Sequence, residues 1–192
     1  MKSISKAAVL FVAVAFVAAA CDDSPSSPSS SKSAQFNLRL NASAFAAGQV
    51  LAVTFSRVRA FRSPSDFTDV ALPGNAAQLT CDLKKLQSTD GEIAVGPLPA
   101  GRYTEVRVQI QSATLYLDNP GVDICAANFR MPSGRTAAVA LSPGELVLSR
   151  EFTVQTGADT TMRIGLNTEQ SFRATGTGSY TLTPSVSVLS VS

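Results

Sequence analysis

From Gln35 onward, apolar and polar residues alternate with a period of two. Phe36, Leu38 and Leu40 are separated by Asn37 and Arg39, which predicts a first strand with one buried face. Asn41 to Gln49 is rich in small residues and turns the chain. Val50 to Arg62 predicts a second strand whose phase slips, with Val53 and Phe55 on one face and Val58 and Ala60 on the other. A β-bulge near Ser56-Arg57 reconciles the two halves. The clearest run is Leu98 to Ile110. After a Pro/Gly turn, Val106, Val108 and Ile110 point one way, and Glu105, Arg107, Gln109 and Gln111 point the other. It predicts the spine of the fold. A second change of phase falls near Ser112-Ala113, where a kink is expected to let one long strand serve both sheets of a sandwich.

The remaining segments are shorter. Ser63 to Asp66 and Pro73 to Asn75 bracket a loop, with Phe67 and Val70 tucked beneath it. Gln78 to Leu86 is a third strand, or a strand plus a short turn, and Thr89-Asp90-Gly91 turns into Ile93 and Val95. Asp118-Asn119-Pro120-Gly121 reads as a hairpin turn returning through Val122 to Phe129. Strands follow at Ala137–Leu141, at Leu146 to Val154 and at Met162–Leu166. The chain closes on Tyr180, Leu182, Val186 and Val188, where Pro184 argues for a sheet edge or a bulge. No segment has helical periodicity. Eight to ten short strands at this spacing predict an all-β fold, a single antiparallel β-sandwich of immunoglobulin-like or prealbumin-like type over residues 35–192.

The first 34 residues follow a different pattern. Lys2 and Lys6 precede an apolar run from Ala7 to Ala20, which has the length of a signal-peptide core and is too short to span a bilayer. Ala18-Ala19-Ala20 then meets Cys21, which resembles the lipobox of bacterial lipoproteins, in which the Cys becomes the lipidated first residue. That family prefers Leu or Val where this chain has Ala18, and plain signal cleavage with Cys21 as a bystander is the competing possibility. Asp22 to Ala34 is Ser/Pro-rich with no apolar residue before Ala34, a tether that cannot pack. A stalk directly after a Cys favours lipidation. The expected organisation is a lipoprotein signal peptide over 1–20, Cys21 and a disordered linker over 21–34, and one folded domain beyond.

Four motifs in order carry a further resemblance. They are Asp82-Leu83-Lys84-Lys85-Leu86-Gln87, Leu98-Pro99-Ala100-Gly101-Arg102-Tyr103, Met131-Pro132-Ser133-Gly134 and Leu182-Thr183-Pro184-Ser185-Val186. Together they resemble an uncharacterised domain of bacterial lipoproteins, domain of unknown function 4382. The chain departs from that pattern at its Leu-rich segment, where Lys84 and Lys85 intrude, and at Asn167, where the family has an acidic residue. The Leu-Pro-x-Gly-x-Tyr element is also similar to prealbumin-like and carbohydrate-binding-like sandwich domains. The resemblance implies a β-sandwich and no established activity.

Composition narrows the chemistry. The chain has no His, which removes imidazole-based nucleophile systems and most catalytic zinc sites. Without Lys2 and Lys6 the 16 basic residues fall to 14 and match the 14 acidic ones, so no basic stripe marks a nucleic-acid binder. The expectation is therefore no enzyme, no cofactor and no nucleic-acid partner. The partners expected are a membrane, through the N-terminal lipid, and an unknown protein or glycan ligand, with the domain in the bacterial envelope facing the periplasm or the cell surface. Cys81 and Cys125 remain once Cys21 is lipidated. In an oxidising compartment they pair as a disulfide, with two buried free thiols as the alternative. Asp118, Asn119 and Asp123 offer hard oxygen ligands for calcium, although an acidic hairpin turn is far commoner. Arg57 with Arg59, and Glu105 with Arg107, read as cross-strand charges on a wet face. Tyr103 is placed to pin the preceding loop as a tyrosine corner. Tyr116 falls with the polar set and is expected to be exposed, a thin supply of aromatics for the alternative of a carbohydrate-binding or adhesive surface module.

Overall fold

The computed structural model describes residues 34–192, so the leader, Cys21 and the linker up to Ser33 lie outside the described residues. Ala34 belongs to the folded part, buried, with its carbonyl accepting from the Leu98 N–H. Among the described residues fifteen strands build an all-β sandwich of two main sheets. The smaller sheet has the order β15 (Val186–Val191), β12 (Thr160–Leu166), β1 (Gln35–Ala42), β5 (Gly91–Pro97). The larger runs β13 (Phe172–Gly176), β14 (Ser179–Leu182), β9 (Thr136–Leu141), β7 (Glu105–Tyr116), β2 (Val50–Ser63), β4 (Leu79–Asp82), β8 (Cys125–Ala126). On this larger sheet β10 (Glu145–Leu148) adds to β7 and β3 (Asp66–Val70) adds to β2. A separate ribbon pairs β6 (Gly101–Tyr103) with β11 (Phe152–Val154).

Phe36, Leu38 and Leu40 of β1 are fully buried, as the alternation requires, and face Leu51, Val53 and Phe55 of β2 within one core. Two pairings run parallel, β1 with β12 and β9 with β14, a feature that alternation along single strands does not encode.

The phase slips in β2 and β7 are one structure. Thr54 pairs with Ser112, Phe55 with Ile110 and Arg57 with Gln109, so Ser56 and Gln111 are both left outside the ladder. Each is a bulge, one per strand, at the same level of the sheet. Beyond them Val58, Ala60, Val106 and Val108 return to the core that Phe55 and Ile110 already line. The kink therefore does not carry β7 into the second sheet. It keeps a long strand on one core while the sheet twists.

Other expectations need correction. The loop beneath Ser63–Pro73 is the strand β3, with Val70 buried but Phe67 exposed on the outer face. Asp118 to Gly121 makes no hairpin, because β7 pairs instead with β9, and residues 117–135 form an excursion whose one strand pairing is that of β8 with β4. The closing segment is two strands in different sheets, switched at Pro184, with β15 at an edge.

Candidate functional site

Cys81 and Cys125 are directly opposite in register and form a disulfide that ties the excursion to β4. Gly91 packs against the sulfur, where an added Cβ would stand 2.7 Å from Cys125 Sγ. The excursion covers a second small apolar cluster on the outer face of β2. There Val50, Ala52 and Tyr116 are buried under Phe129. Tyr116 is thus covered rather than exposed, and burial holds its phenol above the ordinary tyrosine value.

Asp118 and Asp123 each face a guanidinium. Arg135 donates to Asp118 through its backbone N–H, Nε and Nη2, and Arg130 does the same for Asp123. Asn119 is turned away, its Nδ2 donating to Ser133. The two carboxylates clamp separate parts of the loop and do not converge; among the described residues no cluster of acids gathers for a metal. Gly134 sits beside Asp118 at φ +105°, where a side chain would be strained and would strike the carboxylate. Hydrogen bonds from Arg130 pull the Asp123 carboxyl down to about 2. Its unfolded value is near 3.8, so this pair stabilises above that pH and its contribution is lost as pH falls through about 2. Carbon-detected NMR titration is expected to place the Asp123 midpoint near 2 and to return it towards 3.8 in Arg130→Gln. Equal midpoints in the two proteins would refute the clamp.

Of the charged residues on the wet strand face, Arg59, Glu105 and Arg107 gather with Glu145, whereas Arg57 pairs apart with Asp69 on β3. Arg59 and Arg107 are cross-strand neighbours; Glu145 bonds Arg59, and Glu105 bonds Arg107. Both guanidinium groups lie over the Phe61 ring, and Arg59 also covers Phe67. This layer shields Phe61 from water with its own charges satisfied.

Tyr103 is fully buried, and its hydroxyl donates to the Pro99 carbonyl at 2.9 Å. Arg62 Nη2 donates to the same hydroxyl and to the carbonyls of Pro99 and Ala100. The Leu-Pro-x-Gly-x-Tyr element is therefore a corner closed on itself. Tyr103→Phe is expected to lower stability by about 1–3 kcal/mol, because it removes a buried acceptor and donor together. Urea unfolding measures this, and an unchanged midpoint would show that the corner is decorative.

The departures from the family pattern also have places. Lys84 Nζ donates to the Phe45 carbonyl and lies over the Phe45 ring; Lys85 Nζ donates to the Val122 carbonyl. Leu83 and Leu86 fill the core between them, so the two lysines occupy outward positions that pin neighbouring loops. Burial raises the pKa of Asp82, beside them, and lowers that of Lys84. Asn167 caps the single helical turn α1 (Thr168–Ser171), its side chain accepting from the Gln170 N–H as an aspartate would.

The open concavities among the described residues include two that combine apolar and polar walls. The first is a slot of about 280 Å³ between β10 and β15, walled by Val147–Arg150 and by Val186, Ser187 and Val188. The second is a hollow of about 300 Å³ at which Phe45, Phe172 and Tyr180 gather with Glu169. Phe172 and Tyr180 stack at 5.2 Å and 11°, with Phe45 tilted against Phe172. Nothing in the alternation of single strands marks either one. The slot's walls lie about forty residues apart in the chain, and Phe45 stands in a small-residue turn.

No curated protein and no solved structure matches this chain. The chain belongs to the family described as Domain of unknown function (DUF4382), whose model matches residues 33–184.

Proposed function

We propose that this protein is a lipid-anchored envelope protein whose sandwich is a non-catalytic binding or scaffolding module, held away from the membrane by Cys21 and the Ser/Pro-rich segment after it. The leader, the Cys and the stalk-like composition support the anchor. The closed corner at Tyr103 supports a prealbumin-like character for the sandwich. The observation that carries the binding role is the open slot between β10 and β15, a sheet edge left accessible on an otherwise tied domain. The absence of histidine from the sequence supports a role without proton-transfer chemistry near neutral pH. Mass spectrometry of the mature N-terminus is expected to find Cys21 as the first residue, carrying lipid; an unmodified Cys21 overturns the anchor. Photo-crosslinkers placed along the slot are expected to capture one recurrent envelope component in the native host, and capture only from the opposite side of the sandwich overturns the assignment of this face.

The aromatic hollow favours a second reading, a carbohydrate-binding module. Phe45, Phe172 and Tyr180 supply ring faces, and Glu169 a hydrogen-bond acceptor, at one concavity. A glycan array probed with the full chain tests it. Signals lost in Tyr180→Ala support the reading, and a blank array rejects it.

A further inference from the structure

We infer that the slot between β10 and β15 accepts one extended polypeptide segment from a partner, which adds as a strand to the β15 edge and places a carboxylate at Arg150. This rests on the binding role proposed for the same face and names the chemistry of its occupant.

In the β12–β15 pair, Asn167 N–H donates to the Ser185 carbonyl, and Thr161 and Ser192 exchange both of their bonds. Bonded and non-bonded residues alternate along an antiparallel pair, so Val186 and Val188, opposite Leu166 and Ile164, aim their N–H and C=O groups away from β12. The same logic applies across the slot. Ile110 N–H donates to the Gly144 carbonyl, which leaves Glu145 and Val147 with backbone groups aimed away from β7. Val147, Val186 and Val188 all line the slot. Two rows of free strand hydrogen-bonding groups thus border one space, and the complement of such a row is another extended backbone.

Natural sheets guard exposed edges with charge, proline, brevity or a covering segment. The opposite side of the sandwich is stitched by Val95 N–H donating to the Ala71 carbonyl beside β3 and β5. Asp66 and Asp69 guard β3, Arg173 lies on β13, and β8 is two residues long. By contrast β15 reads Val-Ser-Val-Leu-Ser-Val, six residues with no charge and no proline. Its one irregularity is a register shift between Arg163 and Ile164 of its partner strand, at the level of Leu189 and beyond the slot-lining residues.

Arg150, at the end of the slot, is exposed and has no ion-pair partner among the described residues; the exposed Arg39 and Arg173 share that condition, but Arg150 alone of the three lines the slot. Exposed Val147 and Leu189 flank the same region and suit apolar side chains at alternate positions of the incoming segment. The occupant is therefore a single strand with alternating β-branched residues and a carboxylate near one end.

The probe is a fluorescein-labelled octapeptide of alternating Thr and Val ending in Asp, titrated to millimolar concentration onto the full chain. Its twin carries N-methyl groups on alternate backbone nitrogens. Binding of the plain peptide but not the twin, with slowed amide exchange at Val147, Val186 and Val188, is the expected result. Val147→Pro removes an outward donor without taking a bond from the β7 ladder, and is expected to weaken binding roughly tenfold or more. Arg150→Glu is expected to weaken the Asp-ended peptide and not an Asn-ended one. Because N-methylation acts on the probe alone, the outcome does not depend on how well either variant folds. Equal binding by both peptides, or no protection at these amides at millimolar peptide, overturns the inference. So does protection at these amides without peptide in a sample that sediments as a dimer, since a second copy then fills the slot. If the peptides fail while crosslinkers along the slot still capture an envelope component, the binding role stands and strand addition falls.

Discussion

Deleting Ser56 is expected to lower stability by about 1 kcal/mol or less, whereas deleting Thr54, two residues earlier, is expected to cost about 3–5 kcal/mol. The contrast follows from the paired bulges. The rungs on either side of Ser56 are Phe55 with Ile110 and Arg57 with Gln109, so removing Ser56 leaves every rung in place. Its side chain is only half-buried and packs no core. Without it, β2 alternates regularly and Gln111 alone remains as a bulge on β7. Removing Thr54 gives the strand no such slack. To keep Leu51 and Val53 inward, Phe55 must take the outward place of Thr54 and Ser56 must take the inward place of Phe55. Phe55 is 1% exposed and lies in the main core, so the exchange resembles a large-to-small core substitution. The Thr54–Thr80 hydroxyl bond at 2.9 Å is lost as well. Urea denaturation of the two deletions separates the cases, and equal losses would mean that the bulges are not the slack this geometry makes them.

Those bulges were legible in the sequence because a phase slip changes which residues are apolar. The partners of each strand were not. The apolar alternation of Phe36, Leu38 and Leu40 says that β1 has a buried face, but the parallel choice of β12 depends on segments more than a hundred residues away. Pro184 marked a break in the last strand correctly, yet a proline reads the same at a bulge and at a crossing between sheets. The covered position of Tyr116 had a visible signal. Val50-Leu51-Ala52-Val53 is a continuous apolar run, which marks a strand buried on both faces. Alternation through Tyr116 alone obscured it. Asp118-Asn119-Pro120-Gly121 satisfies the chemistry of a hairpin turn and of a long excursion equally well. The excursion wins because Cys125 and Phe129 have sites to reach on β4 and over Tyr116.

The candidate slot was hidden for a different reason. What makes it a site is the direction of backbone groups at Val147, Val186 and Val188, and no side-chain code specifies that. The sequence did carry the negative evidence, a closing strand without a single charged residue. An unguarded edge becomes informative only when the other edges are known to be guarded. In this domain the guarding is done by aspartates on β3, by the backbone stitch at Ala71 and by the excursion that covers the disulfide end. Stability and accessibility are thus divided between the two sides of one sandwich.

Replacing Cys81 and Cys125 together by Ala is expected to cost about 2–5 kcal/mol and to open the excursion before the sandwich. The two cysteines are 44 residues apart, so the bond removes much of the freedom of the unfolded chain. In the folded protein β8 is only two residues long and pairs with β4 alone, through Thr80 with Ala126 and Cys81 with Cys125. Beside it the buried Asp82 N–H donates to the Ile124 carbonyl, and most of what else holds residues 117–135 is exposed. The Arg130–Asp123 and Arg135–Asp118 pairs stand in water, where such contacts are individually weak. Lys85 adds one bond to the Val122 carbonyl, and Phe129 adds its ring over Tyr116. Once the covalent tie is gone these must keep the cover closed by themselves. The phenol of Tyr116 reports the result, since burial alone raises its pKa above 10.0. A raised value means that its burial stabilises the fold below about pH 10 and that this contribution is lost as pH rises through the folded pKa. In the double variant, tyrosine-selective NMR titration is expected to bring Tyr116 down towards 10, while the ring signals of the fully buried Tyr103 keep their chemical shifts at neutral pH. Loss of the Tyr103 signal environment at the same time would show that the disulfide supports the whole sandwich and not its cover, and an unmoved Tyr116 would show that the side chains close the cover without it.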